Sequence, residues 1–203
     1  MIAIVDYGVG NLFSLACSFR SLGAETEVTR DRARIRAADR VVLPGVGAFG
    51  DAMDKLNATG LVPVLEEAAG VKPLLGICLG MQLLFERSFE YGEHDGLGFL
   101  PGQVEDLRED LDDPGLKVPH MGWNSLDIVQ QDPIFRYIRE GEYFYYVHSF
   151  YAKQCGDSLL AVSRYGDVSV TGVVRQGNVW GTQFHPEKSG DAGLRLLKGF
   201  LEL

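Results

Sequence analysis

Apolar residues group along this chain into short β-branched runs and longer stretches of helical spacing, and the two kinds alternate through its first half. Ile2 to Asp6 reads as a buried strand, ended by the loop Tyr7-Gly8-Val9-Gly10. Asn11 can cap a helix whose apolar residues Leu12, Leu15, Ala16, Phe19 and Leu22 recur at helical spacing, with Gly23 as its stop. Thr26–Thr29 and Arg40–Leu43 read as strands, the second ended by Pro44-Gly45. Helical patterns follow over Ala48–Leu56 and Leu61–Ala69, then a strand over Leu74–Ile77 and a helix over Leu79–Arg87. Strands separated by helices imply right-handed crossovers and a mostly parallel sheet.

Beyond Gly102 the texture changes. Val104–Leu107, Leu126–Val129, Tyr143–Val147, Leu159–Val162, Val170–Arg175 and Asn178–Phe184 read as strands joined by short polar turns. Asp167 and Arg175-Gln176-Gly177-Asn178 carry hairpin chemistry. A last helix spans Gly190 to Leu201. The expectation is one α/β domain over residues 1–203, a mostly parallel central sheet flanked by helices and extended by antiparallel strands in the C-terminal half.

Composition narrows the function classes. Of 203 residues, 46% are apolar and 23% charged, enough to bury a sizeable core. A formal charge of −9 with no run of Lys or Arg argues against a nucleic-acid partner. No apolar stretch approaches the ~20 residues of a membrane helix, and the first residues lack the basic start of a secretion signal. Three cysteines, Cys17, Cys78 and Cys155, form no CxxC pair, which suits a reducing compartment and a cytoplasmic protein. The four histidines are scattered, so no metal site is expected.

Two segments carry chemistry. In Leu74-Leu75-Gly76-Ile77-Cys78-Leu79-Gly80-Met81-Gln82, a buried strand runs through Gly-x-Cys-x-Gly into a helical pattern. That is a nucleophile elbow with sulfur in the nucleophile position: flanking glycines permit a tight turn, and the helix start favours thiolate and offers N–H groups to an oxyanion. The competing reading is a buried apolar cysteine. Cys17, within a helix, and Cys155, in a polar loop, are expected to be bystanders. Near the other end, Gly181-Thr182-Gln183-Phe184-His185-Pro186-Glu187-Lys188-Ser189 places His and Glu two apart after a strand. His185 can take the thiol proton and Glu187 can fix its tautomer; alternatively it is a surface His before a turn.

Taken together, the order Cys…His…Glu resembles the triad-type glutamine amidotransferases. Asp6-Tyr7-Gly8-Val9-Gly10-Asn11, Leu43-Pro44-Gly45-Val46-Gly47-Ala48-Phe49, Pro119-His120-Met121-Gly122-Trp123-Asn124 and Tyr145-Tyr146-Val147-His148-Ser149-Phe150-Tyr151 bring the likeness close to one subfamily, the glutaminase subunits of imidazole glycerol phosphate synthases, along essentially the whole chain.

The resemblance implies attack by Cys78 on the side-chain amide of glutamine, a glutamyl thioester, and released ammonia, with no cofactor. It further implies an oxyanion hole from the backbone of Leu79 and of Val46 and Gly47, and substrate contacts from Gly45, Gln82, His148, Ser149 and Phe150. A (β/α)8-barrel synthase subunit is the implied heterodimer partner, facing Asn11, Trp123, Tyr145 and Lys188 and using the ammonia in histidine biosynthesis. His120 is expected to shape that partner face, and His94 has no assigned role. A glutaminase serving another synthase, a docking subunit without catalysis and a stand-alone cysteine hydrolase are the rival readings.

Overall fold

The computed structural model describes residues 1–203. Its elements run β1 (Ile2–Val5), α1 (Leu12–Ser21), β2 (Thr26–Thr29), α2 (Arg32–Ala37), β3 (Arg40–Leu43), α3 (Phe49–Thr59), α4 (Val62–Val71), β4 (Leu74–Ile77), α5 (Leu79–Gln82), β5 (Phe85–Ser88), β6 (His94–Asp95), β7 (Leu100–Asp106), β8 (His120–Ser125), β9 (Asp127–Ile128), β10 (Tyr143–His148), β11 (Phe150–Lys153), β12 (Leu159–Tyr165), β13 (Val168–Gln176), β14 (Val179–Thr182) and α6 (Gly190–Leu201).

The main sheet has the order β2-β1-β3-β4-β14-β13-β12-β9. Strands β2, β1, β3, β4 and β14 are parallel to one another, and β13, β12 and β9 add antiparallel. The expected α/β class, with its antiparallel C-terminal extension, is what the chain adopts. Side chains along the parallel strands alternate between two buried faces. Ile2, Ile4, Val42, Leu75 and Ile77 join one core with Phe19 of α1 and Phe200 of α6. Ala3, Val5, Val41, Leu43 and Leu74 join the other with α3 and α4. Burial on both faces is why these strands read as continuous apolar runs.

Several elements depart from the sequence reading. The helix expected over Leu79–Arg87 is a single turn, α5, followed by strand β5. Leu83, Leu84 and Phe85 are all fully buried, so the run has no polar face for a surface helix, and β5 pairs in parallel with β7 instead. Helix α2 has no apolar stripe, because Ile35 alone is buried; it is set by Asp31, whose carboxylate accepts from Ala33 and Arg34 N–H. Strands β8 and β11 were also not anticipated. β8 pairs antiparallel with β10 as a separate two-stranded ribbon, and β11 joins β7, β5 and β6. Cys155 lies, as expected, in the polar loop between β11 and β12, but its side chain turns inward and is buried, with Sγ 3.8 Å from Thr171 Oγ1.

Candidate active site

Parallel strand β4 delivers Cys78 to the carboxyl end of the main sheet, beside the end of β14, which delivers His185. Open α/β sheets place their ligands there. At the elbow Cys78 has φ 54° and ψ −113°, a conformation L-residues rarely hold, and the Cys78 N–H to Thr182 carbonyl bond (2.7 Å) pins it. The neighbouring glycine is obligatory on space alone: a Cβ on Gly80 would stand 1.9 Å from the Leu43 carbonyl oxygen. Gly45 is just as tightly placed, with a virtual Cβ 2.5 Å from Gly80 N. The Pro44–Gly47 loop therefore lies directly on the elbow. Tyr7 tethers that loop by donating its hydroxyl to the Pro44 carbonyl (2.7 Å).

The His185 end is built by a turn. His185 N–H donates to the Tyr145 carbonyl (2.9 Å), Ser189 Oγ donates to the His185 carbonyl (2.7 Å), and Tyr145 N–H donates to Ser189 Oγ (3.0 Å). The turn is thus stitched to β10. Glu187 Oε1 lies 2.8 Å from His185 Nδ1, both side chains almost wholly out of solvent, and this is the carboxylate's one side-chain hydrogen bond. Burial alone pushes the imidazole down. Hydrogen bonds and negative charge from Cys78 and Glu187 outweigh it and lift His185 to about 10. The ring is therefore held as imidazolium between a sulfur and a carboxylate. Cys78 Sγ donates to the Val147 carbonyl at 3.8 Å and accepts from Gln183 Nε2 at 3.8 Å. Because α5 is a single turn, its dipole contributes little at the elbow.

Cys78 and His185 share a cavity of about 270 Å³ with Val46, Gly47, Leu79, Gln82, Glu90, Val147, His148, Ser149, Phe150 and Lys188. Its size suits a small molecule of a few heavy atoms. Val46, Gly47 and Leu79, expected as oxyanion residues, and Gln82, His148, Ser149 and Phe150, expected as substrate contacts, all line it; Gly45 lies just beneath. Gln82 is buried and uses both amide protons within the protein, on the Phe150 carbonyl (2.9 Å) and Gln183 Oε1 (3.1 Å), which leaves its oxygen for a ligand.

Three contributors escaped the sequence reading: Tyr7, Gln183 and Glu90. Glu90 is the only carboxylate among the lining residues, it accepts from Phe49 N–H at 2.6 Å, and burial raises it. It lies in an acidic loop with nothing local to mark it. His120 is corrected: it is fully buried and bonds to His148, so it presents nothing to a partner. His94 packs against Gly50 and the Phe49 ring. No group of acidic, His and Cys side chains could hold a metal. Of the residues expected at a partner face, Trp123 is half exposed and stacks edge-on to Tyr145 at 5.9 Å, with Lys188 Nζ 6.0 Å from the Tyr145 ring. Asn11 lies apart from these contacts and caps α1, its Oδ1 accepting from Ser14 N–H.

Comparison with known proteins gives the geometry its family. The glutamine amidotransferase class-I profile matches residues 3–202. The chain belongs to the class-I glutamine amidotransferases. Within them it is 48% identical to the imidazole glycerol phosphate synthase subunit HisH of Listeria monocytogenes, over 100% of this chain and 96% of that one. It is 50% identical to the HisH subunit of Bacillus cereus, over 98% and 93%. Relatives this similar along their whole length place it in the HisH family of amidotransferases. Among solved structures, one described as a glutamine amidotransferase superposes with a TM-score of 0.76 at 23% identity, covering 100% of this chain and 98% of that one. The Thermotoga maritima PurLQS structure gives 0.74 at 21%, covering 99% and 97%. At those identities the likeness concerns the amidotransferase fold. No helix is long and apolar enough to cross a membrane.

Proposed function

We propose that this chain is the glutaminase subunit of an imidazole glycerol phosphate synthase, with Cys78 as nucleophile, His185 as acid–base and Glu187 as the group that orients it. One observation carries the reading: a cysteine held at positive φ faces a buried imidazolium, itself fixed by a buried carboxylate 2.8 Å away, across a small cavity. Thiolate adds to the amide carbon of glutamine, and the oxyanion is received by backbone N–H groups of Leu79 and the Val46–Gly47 loop. His185 gives its proton to departing ammonia, then takes one from the water that opens the thioester. Glu90, the sole carboxylate of the cavity, and the free oxygen of Gln82 suit the substrate's α-ammonium. No step calls for a cofactor.

The partner is a (β/α)8-barrel synthase subunit that receives ammonia without its release to water, docked over Trp123, Tyr145, Lys188 and Asn11. Tyr145 supports a route between that face and the base, since its backbone holds both His185 and Ser189. A cytoplasmic setting fits three unpaired cysteines. Glutaminase activity of wild type and Cys78→Ala, each with and without the barrel subunit and its nucleotide, tests the reading. The expected outcome is hydrolysis by wild type alone, strongest with the liganded partner, and intact synthesis from added ammonia in both. Hydrolysis surviving in Cys78→Ala would overturn it.

A further inference from the structure

The β8–β10 ribbon carries a second set of titratable groups that this chemistry leaves unused. Its register places His120 opposite His148, and both are buried. Four contacts run in line through them. Asn124 Nδ2 donates to the Arg164 carbonyl at 2.7 Å, and Asn124 Oδ1 meets His120 Nε2 at 2.7 Å. His120 Nδ1 meets His148 Nε2 at 3.0 Å, and His148 Nδ1 meets the Phe150 carbonyl at 2.9 Å. Tyr146 and Tyr165 both stack on the His120 ring.

Counting protons along this line gives a shortage. The Arg164 carbonyl accepts only a donor, so Asn124 turns its oxygen to His120, and that contact takes a proton on His120 Nε2. The Phe150 carbonyl likewise takes a proton on His148 Nδ1. The contact between the rings takes one more. Three ring protons are called for, and two neutral imidazoles carry two. A third would make the pair cationic, which burial opposes: loss of water pushes His148 down to about 3, with the His120 charge adding to it, and lowers His120 as well. No carboxylate bonds to either ring to offset this. The His148 proton therefore has two homes. On Nδ1 it holds the Phe150 carbonyl; on Nε2 it serves His120 and leaves that carbonyl to Gln82 Nε2 alone.

We propose that His120 and His148 are positioning residues for the amino-acid end of the substrate: His120 Nδ1 competes with the Phe150 carbonyl for one proton, and so sets how firmly Ser149, Phe150 and Gln82 are held in the cavity. This rests on the glutaminase reading above. Three variants separate it from a packing role, because they move substrate affinity in opposite directions. His120→Phe keeps the stacked ring and removes the competing lone pair. Asn124→Leu frees His120 to carry its proton on Nδ1 and donate it to His148. Both fix the His148 proton on Nδ1, and KM for glutamine in the complex with the liganded synthase subunit should fall, by roughly two- to tenfold for one hydrogen bond gained, with kcat changing less. His148→Phe removes the donor, and KM should rise by a similar factor. On the full chain alone, imidazole ¹⁵N shifts report the tautomer: a mixture at His148 in wild type, and the Nδ1–H form in His120→Phe and Asn124→Leu. A single His148 tautomer unchanged between wild type, His120→Phe and Asn124→Leu, or KM rising in all three variants, would overturn the proposal. A wild-type complex that hydrolysed no glutamine would sink the functional reading instead, with the ¹⁵N result still deciding the pair.

Discussion

At residue scale the chain concentrates its unusual chemistry on one ring. His185 is lifted to about 10 against the pull of its own burial, and the groups that lift it are Cys78 and Glu187. Cys78→Ala deletes the first of these and leaves burial in place, so the imidazole pKa should fall by more than about one unit, a change that NMR titration of the ring resolves. An unshifted His185 in that variant would mean that sulfur and ring are not paired. Glu187→Gln leaves the shape of the turn and removes the charge that fixes the ring's tautomer. The expected loss in glutaminase kcat is roughly 100- to 10,000-fold, with KM much less affected. Cys78, His185 and Glu187 were legible in the sequence because each is local in its signal: glycines bracket the one, and a strand end with His-Pro-Glu marks the others. Glu90 was not, since its importance is set by the cavity wall it joins from a loop distant in sequence.

At the scale of elements, close backbone approach holds the site together. Helix α6 sits so near the His185–Lys188 turn that a Cβ at Gly193 would lie 1.9 Å from the Pro186 carbonyl oxygen. Gly193→Ala must push the helix away from the turn that carries both His185 and Glu187. Thermal unfolding should show a loss of about 1–3 kcal/mol, and kcat should drop further than that loss explains; an unchanged kcat would mean that α6 does not brace the turn. The strands of the parallel sheet were readable because two-sided burial writes an apolar run. β5 was not, because Leu83-Leu84-Phe85 is equally apolar whether it continues a helix or enters a strand, and only the pairing with β7 decides. β8 escaped for a different reason. Its outward Met121 and Trp123 are exposed apolar residues and its inward His120 is a buried polar one, which inverts the alternation that identifies a strand.

For the whole molecule, the site's ionisation couples to folding. A histidine raised from 6.5 to about 10 stabilises the folded state in its protonated form. That contribution is complete below about pH 6.5 and is lost as pH climbs through about 10. Tm of the wild type should therefore decline between pH 7 and 10, and Cys78→Ala, lacking the main partner of the raised ring, should decline less steeply over the same window. Parallel slopes would assign the decline to other groups. Such a dependence would be invisible from the net charge of −9, which describes the surface and not the one buried cation.

The positive φ of Cys78 has a consequence for evolution and engineering at that position. At most sites alanine stabilises a protein more than glycine, because it restricts the unfolded chain. At the elbow the order should reverse, since only glycine rests comfortably at φ 54° and ψ −113°. Cys78→Gly should melt above Cys78→Ala by the equivalent of about 1 kcal/mol. Backbone relief at this position comes only with loss of the sulfur and of its hold on His185, so the strain at the elbow and the stability lent by the raised ring oppose each other there.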